Sequence, residues 1–284
     1  MPRILACTDG SAYAASLYQH AAWAARRMSA AVEVLHVLDP HRERAAIADM
    51  SGAIGMDARD ELLEQLTELE EAKGRIAQKQ SRLILQDASA TLLAAGVADV
   101  KLTQRHGAVV ECLAEAEPRT DLVVIGKRGE NAAAAMEHLG ANLERVIRAS
   151  HRPVLVASRA FHPIERMVIA FDNGPSARKA VEYAAREPLL KGLECNLLMV
   201  GSATEETNRH VGWATALLQS GGFTVRAEVV AGEVEGVIHQ AVEPEAGCLL
   251  VMGAYGHSRI RQFIVGSTTT TMVRTCHVPV LMFR

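Results

Sequence analysis

The sequence has few cysteines and no closely spaced pair of them. Its five cysteines include no C-x-x-C pair, and several lie inside apolar segments. We therefore expect buried, reduced thiols, as in a cytoplasmic protein. The cysteines are Cys7, Cys112, Cys195, Cys248 and Cys276.

The chain also lacks a strong charge bias and long apolar runs. Its net charge is −3 at pH 7, which gives no electrostatic reason to expect a nucleic acid or an anionic membrane surface as a partner. No apolar run approaches the roughly 20 residues that span a bilayer, so we expect no membrane insertion. With 284 residues, 49% of them hydrophobic, the chain is long enough to bury two cores of ordinary domain size.

Signatures of several enzyme classes are missing as well. The sequence contains no Walker A, H-E-x-x-H, EF-hand or G-x-S-x-G pattern, and its eleven histidines are scattered. No carboxylate pair is set out for magnesium and no base is set out to activate a water. We therefore predict no catalytic residue and no metal ligand.

A glycine-rich loop follows an apolar run near the carboxyl end of the chain. The run is Cys248–Met252, the loop begins with Gly253 and Gly256, and Gly266-Ser267 follow nine residues after Gly256. This order predicts a buried strand, a loop and a helix start. Glycine permits close backbone approach and a helix start offers free N–H groups, so the loop suits a phosphate. Turns after strands commonly use glycine, so the first pair alone also fits an ordinary turn.

Neighbouring residues strengthen the phosphate interpretation. Ser267 and Thr268 add hydroxyl donors at the predicted helix start, and the loop carries His257, Arg259 and Arg261. The simpler alternative for the three basic residues is a solvated loop.

An altered copy of this loop occurs in the first half. Gly126 and Gly129 follow the apolar run Leu122–Ile125. Ten residues separate Gly129 from Gly140, instead of nine, and Ala141 stands in place of the serine. A repeated unit is harder to attribute to chance than a single glycine pair.

The repeat extends over the whole chain. Each half opens with a strand that ends in an aspartate, Asp9 or Asp172, and each closes with a short Pro-Val-Leu strand. Helix-periodic stretches follow both aspartates, from Ser11 to Met28 and from Ser176 to Leu190, and a serine is available as the cap of each. Strands that alternate with helices predict an α/β fold with parallel sheets. We predict two domains, residues 1–159 and 160–284.

The first half contains a long helical insertion. Residues 57–95 are strongly helical in pattern, with Leu62, Leu69, Ile76 and Leu83 at seven-residue spacing, although Gly74 is a candidate break. A helix of 39 residues would be about 58 Å long, more than one small sheet can cover. It is either a sheet-covering helix with an extension or a dimerisation helix. Residues 39–56 before it are predicted to form a loop.

Together these residues resemble the universal stress protein family. The resemblance rests on the strand-end aspartate, the G-x-x-G, the nine-residue spacing to G-S and the closing P-V-L strand. It covers nearly the whole chain, once per half, as in a tandem of two UspA domains. It implies two open, five-stranded parallel sheets with helices on both faces, the adenine nucleotide alpha-hydrolase-like class. It also implies paired domains, as a homo-oligomer or within the chain, and a role in the stress response.

The family resemblance further implies a nucleotide site in the second half, for ATP or AMP with or without Mg²⁺. Asp172 would face the base or ribose, and the backbone near Val200 would edge the adenine. The ribose and phosphates would be surrounded by the remaining residues, Gly253, Gly256, Gly266, Ser267 and Thr268, with His257 and Arg259 as phosphate neighbours. The simpler alternative for Asp172 is a carboxylate that caps a turn.

The first half is predicted to bind weakly or not at all, because Ala141 removes a phosphate donor. Such a loss typically costs about 10- to 100-fold in affinity. Lys127 and Arg128 are candidates for partial compensation through charge. We expect a Gly253→Asp variant to lose binding and a Gly126→Asp variant to keep it.

Three functions are compatible with the sequence. The first is a nucleotide-binding sensor or regulator, the second a slow ATPase or phosphotransferase, and the third a ligand-free dimerisation scaffold. The apolar closing strands, Val154–Val156 and Val280–Phe283, are expected to pair with each other, which would join the two domains inside one chain.

Overall fold

Strands and helices alternate along the chain, as predicted. The computed structural model describes residues 1–38, 56–127, 141–243, 247–254 and 267–284, with only the backbone described for 56–64, 141–142 and 267. The first half contains β1 (Arg3–Thr8), α1 (Ala14–Met28), β2 (Ala31–Leu38), α2 (Met56–Ala94), β3 (Val100–His106), α3 (Val109–Ala116), β4 (Leu122–Gly126), α4 (Ala141–Ala149) and β5 (Val154–Ala157). The second half contains β6 (Arg166–Ala170), α5 (Pro175–Arg186), β7 (Glu194–Val200), α6 (Glu205–Ser220), β8 (Val225–Val230), α7 (Val234–Val242), β9 (Cys248–Gly253), α8 (Ser267–Thr275) and β10 (Val280–Phe283). Short 3₁₀ helices lie at Glu117–Arg119 and Pro188–Leu190.

The strands form one continuous sheet instead of the two separate sheets that the sequence predicts. Its order is β3-β2-β1-β4-β5-β10-β9-β6-β7-β8, ten strands in all. Each half contributes five parallel strands, and the halves meet where β5 pairs antiparallel with β10, Leu155 opposite Leu281. The predicted pairing of the closing strands is therefore confirmed, and this pairing merges the two sheets. The predicted domain boundary after residue 159 falls between β5 and β6 and stays a prediction.

The two hydrophobic cores are divided by sheet face and not by half. One core packs α1, α2, α5 and α6 against one face and includes Leu17 and Leu92 from the first half and Val181 and Leu218 from the second. The other packs α3, α4, α7 and α8 against the opposite face. Because each core crosses the β5–β10 junction, apolar burial itself holds the halves together.

The first helix of each half begins differently from the prediction. Neither Ser11 nor Ser176 acts as a side-chain cap: α1 begins after Tyr13, and α5 begins after Gly174. The strand-end aspartates instead bind the turn, since Asp9 Oδ1 accepts from the Ser11 amide at 3.0 Å and Asp172 Oδ1 accepts from the Gly174 amide at 2.9 Å. An aspartate that binds the amide two residues ahead competes with serine for the same turn.

Helix α5 also ends earlier than predicted. It ends at Arg186, and Pro188 begins the 3₁₀ helix, whereas the sequence pattern predicted helix to Leu190. Proline has no amide hydrogen and disfavours helical backbone at the residue before it, which accounts for the early end.

Helix α2 is the predicted insertion and is continuous through Gly74. It spans 39 residues. Its carboxyl-terminal part covers the sheet, with Ser81, Leu85, Ala88 and Leu92 buried, whereas no residue between 65 and 80 is buried. The structure therefore agrees with the first alternative, a sheet-covering helix with an exposed extension. The predicted loop covers residues 39–56; positions 39–55 lie outside the described residues, and Met56 begins α2.

All five cysteines are reduced and buried, as predicted. Burial raises the pKa of the Cys7 and Cys195 thiols to about 12 and that of Cys276 to about 11. Because the thiolate is the reactive form, these thiols are chemically inert near neutral pH.

Candidate functional site

The second half brings its predicted residues to the point where the strand order reverses. From β6 the chain moves outward through β7 and β8, then returns to β9 on the other side of β6. Ala170 pairs with Met252, so Asp172 follows the carboxyl end of β6 and Gly253 forms the carboxyl end of its neighbour β9. Val200 ends β7, the next strand along. Open α/β sheets bind ligands in the crevice at such a reversal.

The turn after β6 is held by its own side chains. Asp172 Oδ1 accepts from the Gly174 amide, which makes Asp172 the turn-capping residue of the simpler alternative. Asn173 adopts a left-handed backbone with φ of 63°, and its Oδ1 accepts from Arg178 Nε at 2.9 Å. Asparagine tolerates this region better than most residues, so the sequence Asn173-Gly174-Pro175 gives a defined turn.

An aromatic platform behind the turn was not predicted from the sequence. The Arg178 guanidinium lies 4.5 Å from the centre of the Trp213 ring, and Trp213 stacks on Phe171 with ring centres 6.2 Å apart. Cation–π contact and ring stacking fix the arginine that holds Asn173. The sequence shows Arg178 near the start of the predicted helix, but it does not show what this arginine contacts. Trp213 belongs to α6, which only the fold brings close to α5.

Gly253 lies against the start of helix α5. A Cβ atom built on Gly253 would be 2.8 Å from the Ala177 nitrogen and 3.0 Å from Ser176 Cβ. The glycine is therefore required for the approach of β9 to α5, whatever the loop binds. A Gly253→Asp variant would disturb this packing as well as a nucleotide site, so loss of binding in it would not isolate the site.

Helix α8 begins at Ser267, where the sequence predicts a helix start. Thr268 is half-buried, Thr269 is buried, and Thr270 Oγ1 is buried with no hydrogen-bond partner among the described residues. The other predicted loop residues, Gly256, His257, Arg259 and Gly266, lie outside the described residues.

In the first half, Lys127 contacts the second half instead of standing free beside a phosphate. Its Nζ donates to the carbonyl oxygens of Cys276 and Val278, the second at 2.9 Å. Burial lowers the pKa of Lys127 to about 8. The ammonium group of Lys127 therefore ties β4 to the segment before β10, and its suggested compensating role stays a prediction. Arg128, Gly129 and Gly140 lie outside the described residues.

The first-half turn is also covered by the insertion helix. Gly10 has φ of +70°, and a Cβ atom on it would be 2.4 Å from Ile84 Cδ1 of α2. The corresponding turn in the second half is backed by Arg178 and Trp213. The two halves therefore differ in what surrounds the strand end as well as in loop length.

No group of three or more His, Cys, Asp or Glu side chains that would hold a metal ion occurs in the part of the chain that the structure describes. Within the same residues, none of the helices is both long and apolar enough to cross a bilayer.

Comparisons with known proteins agree with this architecture. The model of the universal stress protein family matches residues 1–158 and 201–284. Universal stress protein Slr1230 of Synechocystis sp. is 37% identical over 287 residues, covering 100% of both chains. A solved universal stress protein from Archaeoglobus fulgidus superposes with a TM-score of 0.70 at 20% identity, covering 99% of this chain and 98% of that one. A solved protein of unknown function from Pseudomonas aeruginosa gives a TM-score of 0.58 at 13% identity, covering 100% and 92%.

Proposed function

Because the chain belongs to the universal stress protein family, we propose that it binds an adenine nucleotide in its second half and acts as a sensor or regulator. The nucleotide is ATP or AMP, with or without Mg²⁺. Asp172 and the backbone at Val200 face the base and ribose. The glycines of the loop, with Ser267 and Thr268, surround the phosphates, and His257 and Arg259 lie beside them.

The observation that supports the proposal is the position of Asp172, Val200 and Gly253 at the carboxyl ends of three neighbouring strands, β6, β7 and β9. Helix α5 begins directly after the turn at this end, and the free N–H groups of a helix start favour an anion. The Asn173–Arg178–Trp213 contacts hold the turn in one conformation without a ligand, which lowers the ordering cost of binding.

The first half is proposed to bind weakly or not at all. Lys127 is occupied by carbonyl oxygens of the second half, and Ile84 packs on Gly10. Ala141 offers no hydroxyl at the start of α4. These three differences act in the same direction as the changed loop length.

Thermal unfolding with and without millimolar ATP, ADP and AMP tests the proposal. A nucleotide at 100 times its Kd stabilises the folded state by about 2.7 kcal/mol. A Ser267→Ala/Thr268→Val double variant is expected to reduce affinity by about 10- to 100-fold, because it removes phosphate donors without adding volume. The matched control is Asn142→Ala, the position in the first half that corresponds to Thr268, and it should leave affinity unchanged.

An Asp172→Asn variant separates the two roles of Asp172. Asparagine also accepts from the Gly174 amide, so the turn and the unfolding temperature without ligand should be retained. Weaker binding in this variant would assign Asp172 to the ligand, whereas unchanged binding would leave it a turn residue.

Two outcomes would contradict the proposal. If nucleotide-free protein shows no shift with any of the three nucleotides, the chain is a ligand-free scaffold. If it turns over ATP above background and Asp172→Asn abolishes the turnover, it is a slow ATPase or phosphotransferase.

A further inference from the structure

The exposed extension of helix α2 carries an apolar stripe. Leu69, Ile76 and Leu83 recur at seven-residue spacing and are 48%, 66% and 58% exposed. Seven residues make nearly two helical turns, so these three side chains share one face of the helix. The described part of the chain does not cover this face.

The charges of the same helix are segregated along its length. Residues 57–71 contain seven carboxylates and one arginine, whereas residues 73–82 contain two lysines, two arginines and no carboxylate. A helix with one acidic and one basic end repels a parallel copy of itself and attracts an antiparallel one.

We propose that the exposed extension pairs antiparallel with the same helix of a second copy of this chain. A two-fold axis that crosses between Ala72 and Lys73 places Leu69 opposite Ile76 of the second copy. The same register brings positions 62 and 83 together, so the stripe is self-complementary. This interface is independent of the proposed nucleotide site.

The flanking charges agree with this register. Glu68 lies opposite position 77 of the second copy, so Arg75 and Lys79 of that copy lie within two residues of it. At 100° per residue, positions 68, 75 and 79 occupy the same side of the stripe, and the two-fold axis keeps that side together in both copies. Arg75 also pairs with Glu71 of its own helix at 3.5 Å, but both side chains are about two-thirds exposed, so this pair does not fix Arg75.

A second copy is the occupant that the structure favours. The closing strands, which are the apolar sheet edges, already pair within one chain through β5 and β10. An unrelated acidic or basic partner would match only one end of the extension, whereas an antiparallel copy matches both.

Sedimentation equilibrium of the full chain tests the pairing. We expect a dimer of twice the 30.6 kDa chain mass. A Leu69→Gln/Ile76→Gln variant, which keeps good helix formers, is expected to weaken the dimer by at least about 100-fold. The matched control is Leu93→Gln, which changes a leucine of the same helix that is 54% exposed but outside the paired segment, and it should leave the dimer intact. A monomer at all concentrations would overturn the proposal.

Charge reversal tests the direction of the pairing. Glu68→Lys alone and Arg75→Glu/Lys79→Glu alone are each expected to weaken the dimer by about tenfold or more, because each places like charges opposite one another. Combining all three substitutions should restore it. In a parallel pair the two-fold axis would place this flank on opposite sides in the two copies, so Glu68 would not meet Arg75 or Lys79 of the other copy and the combination would not restore the dimer. Such a result would refute the antiparallel register.

Cysteine cross-linking gives a second readout of direction. The five native cysteines are buried, so a cysteine introduced on the helix surface is the thiol that an oxidant can reach. In Ala72→Cys, the two introduced cysteines of the dimer are offset by one residue, about 1.5 Å along the helix axis, and should form a disulfide. Gln65→Cys on the same side of the stripe lies about 22 Å from its own copy and should not. Cross-linking of both variants would indicate a parallel pair.

Discussion

Replacing Gly253 with valine is expected to lower the free energy of unfolding by about 3 kcal/mol or more. The first side-chain atom would meet the Ala177 nitrogen at 2.8 Å, and a backbone atom at the start of a helix cannot rotate away. Strand β9 and helix α5 would have to separate, and each belongs to the cores described above. Gly253→Ala should have a smaller effect, about 1–3 kcal/mol. Urea denaturation of both variants measures the series.

Gly212→Ala is the matched control for this prediction. Gly212 lies inside helix α6 of the same half, and a Cβ atom on it would meet no heavy atom within 4 Å. Alanine favours the helix, so this variant should gain about 0.5–1 kcal/mol. If Gly253→Ala and Gly212→Ala changed stability in the same direction, the close approach of β9 to α5 would not be the reason for Gly253.

Acidification from pH 6.5 to pH 4 is expected to remove about 3 kcal/mol of stability through His20 alone. The ring is fully buried, its Nδ1 lies 2.7 Å from the Ser16 carbonyl oxygen, and its edge meets Phe161 at 5.0 Å between centres. Burial lowers the pKa of His20 from 6.5 to about 4. Between these values the unfolded chain binds a proton that the folded chain does not, so stability falls as the pH falls.

His20→Gln tests this linkage. The variant should be less stable than the wild type at pH 7, because it loses the ring packing, but the difference should shrink by about 3 kcal/mol as the pH falls to 4. His106→Gln, a substitution of an exposed histidine, is the matched control. Urea denaturation at pH 7, 5.5 and 4 provides the measurement, and a constant difference between wild type and His20→Gln would contradict the assignment.

Local patterns predicted much of the fold. The strand-end aspartates, the strand before Gly253 and the 39-residue length of α2 all follow from periodicity and turn residues that act over a few positions. The pairing of the closing strands also followed, because both are short and apolar and each ends its own half with one edge open.

Contacts between distant segments were not predictable in the same way. Nothing near Lys127 in the sequence indicates that its ammonium group binds carbonyls close to Cys276. The stacking of Trp213 behind the Asn173 turn likewise depends on how α6 lies on the sheet. The capping prediction failed for a different reason, since two good candidates, an aspartate and a serine, compete for each turn and only geometry decides.

The central β5–β10 pairing also sets the order in which the protein can be completed during translation. Leu155 pairs with Leu281, so most of the second half lies between the two strands in the sequence. The ribosome therefore exposes a finished first half with an open apolar edge while it makes nearly all of the second, at about 5–20 residues per second. Two such unfinished chains on one messenger RNA would present matching edges to each other. During those seconds β5 has to be kept from pairing with another chain. In the finished molecule β10 covers this edge.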